Sequence, residues 1–287
     1  MAPTLKMEYW DDPMARAAFQ KFMIEIHGLD FSEWDARGFW DNAYTPFSFF
    51  DQGRVVASVC VYLLDVVLGG EKTRLAQVSG VGTSPKWRRQ GLNRKLTEIG
   101  LSWAKDKQDG IFLFADPEAA PFYEACGFQP LPEFLERGPV PPAQLRPGAR
   151  KLTVSDPRDL DTIFRHAEGR APVSTVFGVL NSRLLLFHTL YTLREDAYEI
   201  GDLECVIFFA RKNGVLSIFD IVGKRIPTLE EIYPYLADRG DEVIEFHFSP
   251  DQLGAGPSQL VPLLGNHPFT KGNFPIPQPV FPFTSRA

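Results

Sequence analysis

The sequence predicts an α/β (α+β) chain, a mixed central sheet flanked by helices and present in tandem, on three observations. Residues 76–104 read as a strand, a tight basic loop and a helix: Val78 and Val81 lie in an extended run stopped by Pro85, and Leu92, Leu96, Ile99 and Trp103 recur at helical spacing. Two runs rich in β-branched and aromatic residues, 47–66 and 204–222, fold back on Gly-containing turns, Asp51-Gln52-Gly53 and Arg211-Lys212-Asn213-Gly214. The order strand, helices, hairpin, helix, strand occurs in both halves.

The first half opens with a short strand at 4–10. Asp11, Asp12 and Pro13 then start a helix with Met14, Ala18, Phe19, Phe22 and Ile26 on one face, ending near His27-Gly28. Phe31, Trp34, Phe39, Trp40 and Tyr44 fall in a second, irregular helical stretch. After the central helix, Ile111 to Phe114 suit a buried parallel strand, and Asp116-Pro117 can cap a short helix that Gly127 ends. Six prolines between Gln129 and Leu152 mark a boundary, giving a first domain at 1–135, a proline-rich linker at 136–150 and a second α/β domain at 151–287. In the second half we expect a strand at 151–154, a helix from Asp156-Pro157, another within 173–188, a helix near 229–236 and a strand at 242–248. The Pro- and Phe-rich tail from Pro250 suits an extended segment docked on a surface, with a polyproline ligand as the alternative.

Composition narrows the function. The chain has 287 residues, 44% hydrophobic, and a net charge of −6 without a basic run, so phosphate recognition is local and nucleic-acid binding is not expected. Cys60, Cys126 and Cys205 are odd in number and widely spaced, which fits free thiols in a reducing compartment. There is no apolar signal core and no membrane-spanning run, so a cytoplasmic protein is expected. No metal-ligand spacing, Gly-x-Ser-x-Gly elbow or three-glycine dinucleotide loop is present, so no metal site is expected.

The central unit has a direct use. Unpaired N–H groups and partial positive charge at a helix start hold a diphosphate, here over Gln90, Gly91, Leu92 and Asn93, with Arg88 and Arg89 adding charge-assisted bonds. The alternative is a plain turn with a solvated arginine rim.

Arg88-Arg89-Gln90-Gly91-Leu92-Asn93 resembles the coenzyme A pyrophosphate loop of the GCN5-related N-acetyltransferase (GNAT) superfamily: Gln or Arg, two variable residues, Gly, one variable residue, then Gly or Ala. Asp116, Ala119, Tyr123, Gly127 and Phe128 match the spacing of its later Asn-x-x-Ala-x-x-x-Tyr-x-x-x-Gly-Phe element. The match covers about 50 residues and departs at Asn93, where Gly or Ala is usual, and at Asp116, where Asn is usual.

The resemblance implies an acyl-CoA N-acyltransferase fold and transfer of an acetyl group from acetyl-CoA to an amine. It implies cofactor contacts at Val81, Gly82, Thr83, Arg88, Arg89, Gln90, Gly91, Leu92, Asn93 and Asp116, with Tyr123 protonating the departing thiolate. No phosphate loop is visible after Val222, so the second half is expected to be a degenerate copy that does not bind the cofactor. It is expected to form a far wall of the cleft or a homodimer surface. The aromatics at 31–44, with Glu33, Asp35 and Asp41, suggest a cleft for a cationic small-molecule amine. A protein or peptide amine, or a non-catalytic acyl-CoA sensor or scaffold, are the alternatives. For the base, Glu25, Asp41, Asp65, Glu71, His27, the carboxylate of Ala287 and a water chain all stay open.

Overall fold

The computed structural model describes residues 2–287 apart from Pro257, Asn266, Asn273, Pro275 and Pro277. The first half begins with β1 (Thr4–Met7), shorter than expected, and α1 (Pro13–His27). Asp12 starts α1 by accepting from the Ala15 N–H at 3.0 Å, with Pro13 next, and left-handed Gly28 ends it. Of the aromatic stretch only α2 (Ser32–Ala36) is helical. Then follow β2 (Tyr44–Asp51), β3 (Arg54–Leu68), β4 (Glu71–Thr83), α3 (Leu92–Ala104), β5 (Gly110–Phe114), α4 (Ala120–Ala125) and β6 (Gln129–Pro130).

The second half contains β7 (Phe134–Pro139), β8 (Ala149–Lys151), α5 (Pro157–Ala167), β9 (Phe177–Val179), α6 (Ser182–Tyr191) and β10 (Ala197–Ile200). It continues through β11 (Cys205–Lys212), β12 (Val215–Gly223), α7 (Leu229–Leu236), β13 (Val243–Phe246), β14 (Gln259–Pro262) and β15 (Pro268–Lys271). The helix expected within residues 173–188 is α6, which carries Leu184, Leu185 and Phe187, while Phe177 to Val179 form β9 and pair with β3 at its far end.

Two sheets result, β1-β2-β3-β4-β5-β15-β6 and β14-β7-β13-β12-β11-β10-β8. Written from the β8 side, the second repeats the first: β8, β10, β11, β12, β13, β7, β14 take the places of β1, β2, β3, β4, β5, β15, β6. The directions agree, since β4–β5 and β12–β13 are the parallel pairs. Even the helix start recurs, as Asp156 accepts from the Arg158 N–H with Pro157 behind it.

The repeat shows a reciprocal exchange. β7, which follows β6 in the chain, pairs with β13 and β14 in the second sheet, while β15, which follows β14, pairs with β5 and β6 in the first. The division expected at 135 and 151 therefore does not follow the sheets: the proposed linker begins inside β7. Proline does not prevent this, because Pro139 stands at the end of the strand.

One core joins the halves. Tyr62, Phe112 and Leu64 of the first sheet pack in the same cluster as Phe177, Leu184, Phe208 and Phe281. The tail is part of this core rather than a surface strip, although three of its prolines, Pro257, Pro275 and Pro277, lie outside the described residues. Phe281 stacks on Phe112 with centroids 5.3 Å apart, Thr284 Oγ1 donates to Asp220 of the buried Arg170–Asp220 pair, and Arg286 pairs with Glu133.

His188 fastens this tail. Its Nε2 lies 2.7 Å from the Arg286 carbonyl oxygen and its Nδ1 2.8 Å from Thr192 Oγ1. Burial pushes its pKa down to about 4 from the usual 6.5. The unfolded chain thus binds the extra proton between pH 6.5 and 4. Stability is fully present above 6.5 and falls as pH drops towards 4, by up to about 3 kcal/mol. Urea denaturation at pH 7 and pH 4.5 should show this loss, and His188→Gln should shrink it; an equal loss in both proteins would contradict the assignment.

Candidate active site

β4 creates the site by leaving its neighbour. It pairs with β5 only from Leu75 to Val78, while its pairing with β3 continues to Thr83 across a bulge at Gly80 and Val81. Beyond Val78 the β5-facing backbone edge of β4 therefore has no strand partner among the described residues. α1 closes over this edge: a Cβ on Gly82 would lie 2.8 Å from Ile26 Cγ2 and 2.9 Å from His27 Nε2, so a side chain there would push those two side chains aside.

Past β4 the chain turns through Arg88 and Arg89 into α3. Gly91 caps the helix with φ +73°, a left-handed backbone that leaves no side chain over the first turn. No side chain caps that turn and it carries no acidic residue, so its N–H groups face outward. Arg88 Nε donates to the Thr83 carbonyl at 3.2 Å, tying loop to strand. Asn93 Oδ1 accepts from Thr83 Oγ1 at 2.7 Å, so the side chain that departs from the family pattern is drawn to β4.

These parts enclose a cleft of about 600 Å³ lined by Val81, Gly82, Thr83, Arg88, Arg89, Gly91, Leu92, Asn93 and Asp116, nine of the expected contacts. Gln90 does not line it; its Nε2 turns back to the Lys86 carbonyl at 3.4 Å. Ile26, His27, Trp87, Arg94, Phe122, Ala125 and Cys126 complete the wall. Arg88, Arg89 and Arg94 against Asp116 make the cleft positive in a chain of net charge −6. Asp116 precedes a single 3-10 turn and makes no side-chain cap bond there, so the expected capping role is not seen.

Tyr123 lies behind this wall. It is 6% exposed, packed on Phe122, Phe128 and Phe269, while Phe122 and Cys126 reach the cleft. Burial, then the charges of Asp116 and Cys126, push its pKa up, so the phenol holds its proton.

A second, apolar cavity of about 130 Å³ adjoins on the other side of His27, lined by Met23, Leu29, Phe31, Trp34, Tyr44, Tyr62, Gly80, Leu184, Phe187 and Ala287 as well as His27. Leu184 and Phe187 come from α6, so the second half supplies part of the wall. Of the expected acceptor aromatics, Phe31, Trp34 and Tyr44 reach this cavity. Phe39 instead stacks on Phe164 in the core, and Trp40 packs under Arg16.

The expected acidic side chains are elsewhere, whereas Ala287, whose carboxylate is the remaining acidic candidate, lines the inner cavity with its N–H donating to Gln77 Oε1 at 3.0 Å. Glu33 pairs with Arg37 at 2.8 Å, Asp35 with Arg16, and Asp41 accepts from the Ala43 N–H at 3.0 Å. Among the other base candidates, Asp65 is paired with Arg74 at 2.6 Å, and Glu25 and Glu71 are exposed away from both spaces. A polar groove of about 1040 Å³ holds Asp41, Asp65, Arg74 and Arg183. It lacks the free strand edge of the cleft, and beside the uncapped start of α6 that it reaches stand the carboxylates of Asp41 and Asp65.

His27 lines both spaces. Partial desolvation lowers its pKa from 6.5, with the negative charge of Asp116 opposing, so the imidazole is mainly neutral at pH 7.

The corresponding place in the second half has lost these properties. A depression there is lined by Arg165, His166, Lys224 and Arg225, but the start of α7 is closed. Thr228 and Glu231 form a reciprocal capping box, Glu230 adds negative charge, and Arg225 is held by Glu231 at 2.9 Å.

Comparison with known proteins agrees with this geometry. Residues 15–131 match the acetyltransferase (GNAT) domain model. That match takes in every residue lining the cleft and supports an acyl-CoA-dependent N-acetyltransferase domain there. Among solved structures the fold is similar to a conserved protein of Enterococcus faecalis V583 named as a probable N-acyltransferase, with TM-score 0.60 and 14% identity over 93% of this chain and 72% of that one. It is similar to a GCN5-related N-acetyltransferase from Kribbella flavida, with TM-score 0.54 and 16% identity over 92% and 71%. Eis1 from Mycobacterium abscessus has TM-score 0.52 and 16% identity over 85% and 65%. These likenesses extend the fold over both halves. No curated protein matches the chain. No helix among the described residues is long and apolar enough to cross a membrane.

Proposed function

We propose that the chain transfers an acetyl group from acetyl-CoA, held in the cleft, directly to the amine of a small molecule seated in the inner cavity. The observation that carries this reading is that His27 stands on the wall of both spaces, beside the unpaired edge of β4. The N–H groups at the start of α3, with Arg88, Arg89 and Arg94, suit the pyrophosphate. The free backbone edge near Val81, Gly82 and Thr83 suits the pantetheine amides and the thioester carbonyl.

His27 takes the proton that the amine loses as its nitrogen bonds to the carbonyl carbon. The C–S bond breaks, and the thiolate takes a proton that Tyr123, packed beside Phe122 and Cys126, delivers through one water. A cytoplasmic location belongs to the same proposal, since Cys60, Cys126 and Cys205 are free thiols.

A free-thiol release assay with acetyl-CoA across small amines and short peptides tests it. Turnover on small amines is expected. Turnover on peptides alone points to a protein acceptor, and acetyl-CoA binding with no turnover points to a sensor. Tyr123→Phe should lower kcat by about 10- to 1000-fold with the acetyl-CoA KM within a few-fold, because an acid acts only in the transition state. An unchanged kcat would reduce Tyr123 to packing.

A further inference from the structure

We infer that the acceptor is an aromatic amine, with one ring filling the inner cavity and its nitrogen at His27; this rests on the transfer reading above. Size sets the first limit. The cavity holds about 130 Å³, and an apolar protein cavity of about 150 Å³ accepts one benzene. One ring fits, and a second does not.

Chemistry sets the second limit. Phe31, Trp34, Tyr44, Tyr62 and Phe187 supply faces and edges for a ring, as their own T-shaped contacts show: Phe31 and Phe187 meet at 86° with centroids 5.4 Å apart. No Asp, Glu, Lys or Arg is among the lining residues. Polyamines, aminoglycosides and lysine-rich peptides bring no aromatic ring to this space, and the acidic side chains of Glu33, Asp35 and Asp41 that could have drawn them are engaged elsewhere.

A third feature selects among ring amines. Tyr62 lines the cavity, is 1% exposed, and its hydroxyl has no hydrogen-bond partner among the described residues. A buried hydroxyl without a partner is costly, so a ring bearing a hydroxyl is favoured over a bare one.

The experiment has two parts. In thiol-release assays on the full chain, kcat/KM for phenethylamine should exceed that for spermidine and for a lysine peptide by at least about 10-fold. Tyramine should exceed phenethylamine, and Tyr62→Phe should erase that second preference. In calorimetric titrations with CoA present, Leu184→Trp, which fills the cavity, should weaken phenethylamine binding by about 10-fold or more. Leu184→Ala, which enlarges it, should improve binding of 2-(1-naphthyl)ethylamine, a gain that no misfolded variant gives. Spermidine or peptide turnover equal to or above that of phenethylamine overturns the inference while leaving acetyl transfer intact. Phenethylamine bound in the Leu184-sensitive manner but never acetylated upholds the cavity and overturns the transfer. Equal tyramine and phenethylamine values overturn the role of Tyr62.

Discussion

His27→Gln is expected to lower kcat by about 100-fold or more near pH 7, with the acetyl-CoA KM changed only a few-fold. Glutamine keeps the length and polarity of the side chain at the end of α1 but cannot accept a proton from the amine. General-base assistance contributes about 100- to 10,000-fold where the base is well placed. The acid limb of the pH profile gives an independent readout. With its pKa lowered from 6.5 by desolvation, His27 is protonated and inactive only at acid pH, so kcat/KM should rise with an inflection below 6.5 and then level. Steady-state rates from pH 5 to 8 on wild type and variant check both features. If His27→Gln retains full activity and the same limb, the base lies elsewhere.

Gly91→Asp is expected to raise the acetyl-CoA KM by about 100-fold. Two effects add. At φ +73° any side chain is strained, by roughly 1–2 kcal/mol. The larger effect is the carboxylate, which places a negative charge at the helix start where the pyrophosphate would lie and answers the α3 N–H groups that should bind it. Gly91→Ala separates the two, since it carries the strain without the charge and should cost far less. KM values for the three proteins at fixed acceptor concentration decide this, and equal shifts for Ala and Asp would show that strain alone matters.

The parts of the site legible in the sequence are those written locally. Strand, loop and helix from Ala76 to Trp103 are contiguous, and Gly91, the arginines and the start of α3 follow from spacing and turn chemistry alone. The bulge at Gly80 and Val81 is not written that way, because it depends on the β3 register, in which Ser58 meets Gly82 and Cys60 meets Ser79. The strand exchange is still less visible. β7 lies in the stretch read as a linker and β15 in the tail read as an extended segment, and nothing local says which sheet takes a strand whose partners lie more than a hundred residues away.

The inner cavity was missed for the same reason. Leu184 and Phe187 carry only the signal of an apolar helix, and Tyr62 only that of a buried strand, until tertiary packing brings them to His27. The acidic residues misled in the opposite direction. Glu33, Asp35 and Asp41 stand among the acceptor aromatics in the sequence, but arginines from α1 and from their own turn, and the Ala43 amide, hold them outside the cavity.

The central claim, that one cofactor site is formed by the first half and none by its copy, is tested most directly by calorimetric titration of the full chain with acetyl-CoA. The open start of α3 and the closed capping box at α7 predict one molecule per chain. Two equivalent sites, or a single site that survives Gly91→Asp and is lost on substitution of Lys224 and Arg225, would contradict it.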